Sequence, residues 1–220
     1  MAAIDKSIYE KFIIESVDGE KTADISSGVV SFNYYENLFS PMITAKAVVV
    51  NTGNTIKGKD GKMQSLYNGF PLRGGERVVI KIAGNAKTNK GLDFSDKPSK
   101  YLYVGSITNV LVSSGKETFT LNLVSREAIT NETVRVGKRF PSSQKISDSV
   151  EDICKNYLSS DKLYDVDETQ NPYGFIGNMK KPFTLMTWLA SKSVPASASK
   201  EDSTAGYFFF ETQKGFRFKS

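Results

Sequence analysis

The sequence predicts a mainly β protein whose C-terminal part is of mixed α+β character. Apolar and polar residues alternate with a period of two through most of residues 1–130, which is the pattern of half-buried strands. After Ser125 the apolar residues recur at spacings of three and four, as on one face of a helix. We therefore expect a β-barrel-like or sandwich-like domain over 1–130 and a mixed domain over 131–220.

The strand pattern occurs in six runs of the first domain: residues 8–16, 28–35, 43–49, 78–82, 101–112 and 118–123. The run 101–112 is apolar in both phases, so we expect both of its faces to be covered. Asp18-Gly19 and Ser114-Gly115 separate strand runs and predict hairpin turns. The polar stretches 51–72 and 84–100 are predicted as surface loops.

The second domain is predicted to contain two helices and a hairpin. Residues 147–159 form an amphipathic pattern, with Asp148 and Glu151 at capping-box spacing and Ser147 as an alternative cap. Thr184 is predicted to cap a helix that ends before Pro195, and residues 125–131 a helical turn. Residues 196–205 read as a mobile linker, followed by a hairpin of 207–211 and 215–219. The expected core residues are aromatic: Phe175, Trp188, Phe208, Phe210, Phe216 and Phe218.

The composition excludes several kinds of chemistry. The 220 residues contain one cysteine and no histidine, so neither a Ser-His-Asp triad nor a Cys/His zinc site can be assembled. No apolar run is long enough to span a bilayer, and the N-terminus lacks a signal-peptide pattern. A formal net charge of +5, carried by scattered lysines, permits contact with nucleic acid without requiring it.

We find no motif that predicts catalysis, and we expect no catalytic residue, no cofactor and no metal. Cys154 lies on the apolar face of the predicted helix and is expected to be buried and inert. Asp165 and Asp167 belong to an acidic stretch that lacks the EF-hand spacing, so a solvated loop is the favoured interpretation. They also supply the one enzymatic alternative, a carboxylate-based cell-wall hydrolase. Aromatic residues near lysines leave a nucleic-acid-binding β module as a further alternative.

Four segments, in order, carry a resemblance to a known family. They read YYENLFSPMITAKAVVVN (34–51), GFPLRGGERVVIKI (69–82), VGKRFPSSQKISDSVEDICKNYL (136–158) and, over 175–219, MKKPFTLMTWLASKSVP followed by YFFFETQKGFRFK. Together they resemble the baseplate central hub protein of contractile-tailed phages (myoviruses), which is related to hub domains of type VI secretion spike proteins. The resemblance implies a tail-tube-like β-barrel domain over 1–130 and a mixed hub domain over 131–220.

The resemblance also implies a structural role without enzyme activity. Members of the family form homotrimers that join the six-fold tail tube to the three-fold central spike. The implied partners are copies of the chain itself, the tail tube protein, the central spike protein and other baseplate proteins. DNA is expected only to pass through the lumen, and membrane insertion is not expected. The implied location is the tail baseplate of the virion, assembled in the host cytoplasm, and the alternative is a spike or hub component of a type VI secretion or other contractile injection system.

The chain departs from the family in length, because the second tube-like domain expected after the mixed domain is missing. It also ends within a predicted strand, so we expect a truncated chain or a strand that pairs with another molecule. Five residues flanking the loop-rich region are candidate interface positions: Tyr34, Phe39, Leu66, Tyr67 and Phe70.

Overall fold

The fold is that of a computed structural model, which describes residues 7–54, 56–57, 61–70, 72–86, 88–113, 115–196 and 206–220. The described chain forms two compact units. The first consists of the chain up to Tyr35 together with residues 44–126, and the second of residues 36–43 and 127–220. The division at residue 130 stays a prediction. Most of the predicted linker 196–205, and Ser114 of the predicted hairpin turn, lie outside the described residues.

The first unit consists almost entirely of strands. In chain order its elements are β1 (Ile8–Glu15), β2 (Thr22–Asp24), β3 (Val29–Tyr35), β4 (Thr44–Thr52), β5 (Ile56–Lys57), β6 (Met63–Gln64), α1 (Leu66–Gly69), β7 (Arg77–Ala83), β8 (Leu92–Phe94), β9 (Leu102–Ser113) and β10 (Lys116–Ser125). All six predicted strands are therefore confirmed. The predicted loop 51–72 also contains β5, β6 and α1, and the loop 84–100 contains β8.

The strands form an antiparallel sheet in the order β2-β1-β7-β9-β10-β4-β3, with β8 also paired to β7. Seven strands laid flat would separate the two outer strands by about 29 Å. The four residues between Asp24 and Val29 can span only about 17 Å, so the sheet must curl. The rings of Phe12 on β1 and Phe32 on β3 accordingly meet, with centroids 5.9 Å apart. This curvature confirms the predicted barrel-like fold.

The core of the barrel follows the period-two pattern along its strands. Its buried side chains include Phe12, Ile14, Ala45, Ala47, Val49, Val78, Ile80, Phe119, Leu121 and Leu123. The prediction that both faces of β9 are covered is wrong in part, because only Leu102 and Val104, near the start of the strand, are buried. Leu111 and Val112 remain 70% and 61% exposed, since β9 extends beyond the strands that cover its beginning.

The turn that leads into β7 shows why the Gly-Gly-Glu sequence is needed. Gly74 and Gly75 have φ values of +107° and +89°, which glycine adopts without the steric conflict of a Cβ atom. The buried carboxylate of Glu76 accepts hydrogen bonds from the N–H groups of Arg73, at 2.6 Å, and Gly74, at 2.9 Å. The acid therefore satisfies backbone donors that the turn leaves without a strand partner.

The second unit combines helices with short strands. Its elements are α2 (Arg126–Thr133, which begins at the last residue of the first unit), β11 (Arg139–Phe140), α3 (Ile146–Asn156), β12 (Leu163–Val166), β13 (Phe175–Ile176), α4 (Pro182–Ala190), β14 (Phe208–Thr212) and β15 (Gly215–Lys219). The strand β15 lies between β14, to which it is antiparallel, and β12, to which it is parallel. The predicted hairpin is confirmed. No helix in the part of the chain described here has the length and apolar character needed to cross a bilayer.

The predicted helix caps are wrong. Helix α3 begins after Lys145, whose side chain makes no capping bond, and helix α4 begins at Pro182, two residues before Thr184. The N–H of Ser147 instead donates a hydrogen bond of 3.1 Å to the hydroxyl of Thr169, which lies 22 residues further along the chain. A tertiary contact therefore replaces the local cap, because the free N–H groups of the first helical turn accept any correctly placed oxygen.

The aromatic core prediction for the final hairpin is correct for β15 and wrong by one residue for β14. Phe216 and Phe218 are fully buried. On β14, Phe209 is buried, whereas Phe208 is exposed and Phe210 only half-buried. Three consecutive phenylalanines do not reveal which phase faces inward, and a shift of one residue exchanges the two faces. Phe175 and Trp188 are half-buried and pack against each other, with centroids 5.7 Å apart.

Candidate interface surfaces

The segment 36–43 is held against the final hairpin of the second unit at both of its ends. At one end, Glu36 Oε1 accepts a hydrogen bond of 2.6 Å from the N–H of Gln213 in the β14–β15 turn. At the other end, the N–H of Ile43 donates to Glu211 Oε2 across 3.1 Å in a buried environment. The segment is therefore an ordered part of this unit, although β3 and β4 on either side of it belong to the first.

The segment presents an exposed aromatic side chain. Asn37 organises its turn, since Asn37 Oδ1 accepts from the N–H of Phe39 at 2.9 Å and its carbonyl accepts from the N–H of Ser40 at 3.0 Å. Phe39 is 79% exposed and meets the edge of Phe208, with centroids 5.5 Å apart. We call Phe39, Phe208 and the neighbouring exposed Leu38 the aromatic surface. Adjacent exposed apolar side chains of this kind are typical of contact sites.

A buried ionic cluster supports the hairpin that carries Phe208. Lys162, whose side chain is 9% exposed, lies 2.7 Å from Glu127 Oε2 and 3.4 Å from Glu211 Oε1. Ser160 donates to Glu127 Oε1 at 2.9 Å. Because Glu211 also binds the N–H of Ile43, the cluster connects α2, β14 and the segment 36–43. Glu211 was not predicted from the sequence, although it shares the inward phase of β14 with Phe209, which is a detectable pattern.

The first unit has an exposed strand edge. Along one side, β9 pairs with β10 from Leu102 to Ser113. Along the other, its ladder with β7 covers only Leu102 and Tyr103, and two further backbone bonds of residues 75 and 76 reach Val104. Among the described residues, the outer edge of β9 beyond Val104 therefore has no strand partner. Leu111 and Val112 lie on this free edge, which an added strand can pair with.

The five predicted interface residues occupy different environments. Phe39 is exposed on the aromatic surface, and Tyr34 is half-buried with its ring 5.5 Å from that of Phe94. Leu66 and Phe70 are buried, and Tyr67 packs against Phe119 with centroids 6.0 Å apart. The structure thus brings Leu66, Tyr67 and Phe70 together around α1 in the first unit, whereas Phe39 belongs to the second unit. Their role as interface residues stays a prediction.

The acidic residues of the enzymatic alternative lie on and beside β12 and are engaged in ion pairs. Lys219 Nζ lies 2.6 Å from Asp165 Oδ1 and 2.7 Å from Asp167 Oδ1. Partial burial acts to raise the pKa of Asp167, but hydrogen bonds from Lys219 and Ser220 outweigh it and hold the pKa below its ordinary value. The hydrogen bond with Asp165, and then that with Asp167, raises the pKa of Lys219. A general acid needs a raised carboxyl pKa, which Asp167 does not have.

Cys154 is buried, as predicted. Its thiol lies in contact with the sulfur of Met186 at 3.4 Å. Burial, with smaller contributions from Glu127 and Glu151, raises the pKa of Cys154 to about 12. The reactive thiolate is therefore almost absent near neutral pH.

No protein-family model matches the sequence, and no curated protein matches it. Solved structures do match the fold. The chain is similar to the 43 kDa tail protein of prophage MuSo2 from Shewanella oneidensis, with a TM-score of 0.59 and 13% identity over 96% of this chain and 54% of that one. It is also similar to a tail protein from Neisseria meningitidis MC58, with a TM-score of 0.53 and 10% identity over 94% of this chain and 50% of that one.

A third similar structure comes from a secretion machine. It is the c3393 protein of Escherichia coli, described as a component of the type VI secretion system with structural similarity to T4 bacteriophage tail proteins. The TM-score is 0.53 and the identity 8%, over 97% of this chain and 48% of that one. The chain spans about half the length of the solved proteins it matches. These likenesses confirm the tail-protein fold that the sequence resemblance implied.

Proposed function

We propose that this chain is a structural component of a phage tail baseplate, a homotrimeric central hub that adapts the six-fold tail tube to the three-fold spike. The observation that carries the proposal is the match of both units, in one chain order, to tail proteins over almost the whole chain. Assembly by shape needs contact surfaces and no reactive groups. The aromatic surface and the free edge of β9 are such surfaces.

The free edge of β9 supports self-association. An unpaired edge bearing the exposed residues Leu111 and Val112 is a template for pairing with another chain. In a closed ring each copy contributes the same two complementary surfaces. The free edge of every copy is therefore covered by its neighbour when the ring closes. The proposed ring therefore uses β9 between copies, and it leaves the aromatic surface for the tail tube, the spike or other baseplate proteins.

A spike or hub component of a type VI secretion system is the second candidate, favoured by the Escherichia coli protein of the same TM-score as the Neisseria tail protein. Both functions depend on non-covalent assembly through the same contact surfaces, and they differ in the proteins that are bound. Neighbouring genes distinguish them, since capsid and packaging genes accompany a phage tail and not a secretion system. In either setting the proposed location is the tail end of a contractile machine.

Sedimentation velocity of the full chain over a range of concentrations tests the proposal. We expect a trimer that Leu111→Glu weakens at least about tenfold, because a charge on the free edge opposes strand pairing. Val17→Glu is the matched control, since Val17 is 62% exposed in a turn of the same unit and its replacement leaves the free edge intact. A wild-type chain that stays monomeric at all concentrations contradicts the homotrimeric hub, and a fully trimeric Leu111→Glu variant contradicts the role of β9.

A further inference from the structure

A cleft of about 550 Å³ lies beside the turn end of the β9–β10 hairpin. Residues of β9, β10, β4, β6 and α1 line it, so it belongs wholly to the first unit. Val112 and Met63 are apolar and exposed, whereas Asn51, Gln64 and Asn68 contribute amide groups. The cleft thus combines apolar side chains with several oxygen acceptors, and Lys116 also contributes to its lining.

Glu117 lines this cleft with a carboxylate that is only half satisfied. The residue is 2% exposed. Its Oε1 atom accepts hydrogen bonds from Asn51 Nδ2 at 2.8 Å and from the N–H of Tyr67 at 3.0 Å. Its Oε2 atom is buried and has no hydrogen-bond partner among the described residues. A buried carboxylate oxygen without a donor is unfavourable, so a donor that reaches it gains more than an ordinary surface contact.

We infer that this cleft binds a lysine side chain of a second copy of this chain, with the ammonium group at Glu117. The inference rests on the proposed ring function. A lysine stem is apolar and can lie along Val112 and Met63 while its charged end enters a polar cleft. The ammonium carries three donors, of which Glu117 Oε2 takes one and the amide oxygens of the cleft take the others.

Two features of the cleft select this occupant. Arginine binds a carboxylate best through both oxygens, and Glu117 Oε1 is already occupied by two hydrogen bonds. A lysine needs only the one free oxygen. The neighbouring copy is a suitable source because the chain carries 29 lysine and arginine residues and because Val112 belongs to the free edge proposed to join copies.

Sedimentation velocity of Glu117→Gln, compared with the wild type and Glu10→Gln, tests the inference. We expect Glu117→Gln to weaken association at least about tenfold while its thermal unfolding temperature is unchanged or higher, because the substitution removes a buried charge. Glu10 is an exposed carboxylate of the same unit that pairs with Lys81 at 2.7 Å, and its replacement by Gln should leave association unchanged. If the wild type associates and Glu117→Gln associates equally well, the lysine contact is wrong and the hub function stands. If the wild type never associates, both are wrong.

A small-ligand titration checks the cation site independently of assembly. Butylammonium chloride added to dilute wild-type chain should shift the NMR signals of Asn51, Gln64 and Asn68, and it should shift them much less in Glu117→Gln. Butanol, which has the same alkyl chain without the charge, should produce little change. Equal effects of the two ligands, or equal effects on the two proteins, overturn the proposed role of Glu117.

Discussion

The ammonium group of Lys162 donates a hydrogen bond of 2.7 Å to the carboxylate of Glu127, 35 residues away, in a site almost closed to solvent. The same ammonium group lies 3.4 Å from Glu211, which holds the segment 36–43 through the N–H of Ile43. The same cation therefore contacts two buried carboxylates.

Replacing Lys162 should be strongly destabilising. We expect Lys162→Met to lower the free energy of unfolding by about 3–5 kcal/mol, because it removes a cation that contacts two buried carboxylates. Lys138→Met is the matched control, since Lys138 pairs with Asp152 on the surface and its loss should cost about 1 kcal/mol or less. Urea denaturation measures both. Equal losses for the two variants would show that the buried cluster contributes no more than a surface pair.

The tertiary cap of α3 provides a second test. Thr169→Val removes the hydroxyl that accepts from the N–H of Ser147 and leaves that donor buried. We expect a loss of about 1–2 kcal/mol in the free energy of unfolding, the range typical of lost caps. Thr187→Val is the control, because its hydroxyl only adds a bond to the carbonyl of Phe183 within α4. A Thr169→Val variant as stable as its control would mean that another group satisfies the first turn of α3.

The Cys154 thiol should make stability depend on pH in the alkaline range. Its pKa in the folded state, about 12, exceeds the ordinary value of 9.0, so the folded state holds the proton more tightly. The stabilisation that the folded state gains by keeping the thiol protonated is complete below pH 9. It is lost as the pH rises toward 12, and it amounts to up to about 4 kcal/mol in total. The difference in unfolding free energy between wild type and Cys154→Ala should therefore shrink steadily above pH 9. A constant difference from pH 8 to pH 11 would contradict the burial of the thiol.

Two glycines with similar backbone angles should respond differently to alanine. Both Gly91, at φ +73°, and Gly53, at φ +84°, lie in the left-handed region. A Cβ atom at Gly91 would lie 2.1 Å from the carbonyl oxygen of Ile82, whereas one at Gly53 would meet no described residue within 4 Å. Gly53→Ala should cost about 1–2 kcal/mol from backbone strain alone. Gly91→Ala should lower the free energy of unfolding clearly more, because of the added steric conflict with the Ile82 carbonyl oxygen. Thermal denaturation measures both variants. Equal losses of stability would contradict the close backbone contact at Gly91.

Phe39 should matter for partners and not for folding. Phe39→Ser should change the unfolding free energy by about 0.5 kcal/mol or less, because the side chain is mostly exposed. If the proposed tube or spike partner binds the aromatic surface, the substitution should weaken that binding at least about tenfold, as removal of an exposed aromatic anchor does. Ile176→Ser is the control, since Ile176 is an exposed apolar residue outside the aromatic surface. Calorimetric titration that finds equal affinities for both variants contradicts the role of Phe39.

Local patterns were sufficient for most of the secondary structure. The strands β1, β3, β4, β7 and β10 follow alternations that are visible in the sequence, because one face of each is buried and the other is not. The helix α3 likewise follows its apolar spacing through Ile146, Val150 and Ile153. The burial of Cys154 follows from the same spacing. A tail-protein fold was inferred from segment order and is the fold that the solved tail proteins share.

Other features depend on partners that are distant in sequence. Phe208 and Phe209 cannot be told apart by pattern, since both phases of the strand are aromatic and only packing decides which one is covered. The cap of α3 comes from Thr169, and the exposure of Leu111 depends on where β7 stops pairing with β9.

The amino-acid sequence by itself determined that the chain forms a β-rich unit followed by helices, since periodicity is a local property of side-chain polarity. Only the tertiary structure decided that Lys162 lies between Glu127 and Glu211, that Phe39 stands exposed and that Glu117 keeps an unpaired oxygen. The reason is that ion pairing, exposure and hydrogen-bond satisfaction are set by neighbours in space, and these neighbours lie tens of residues apart along the chain.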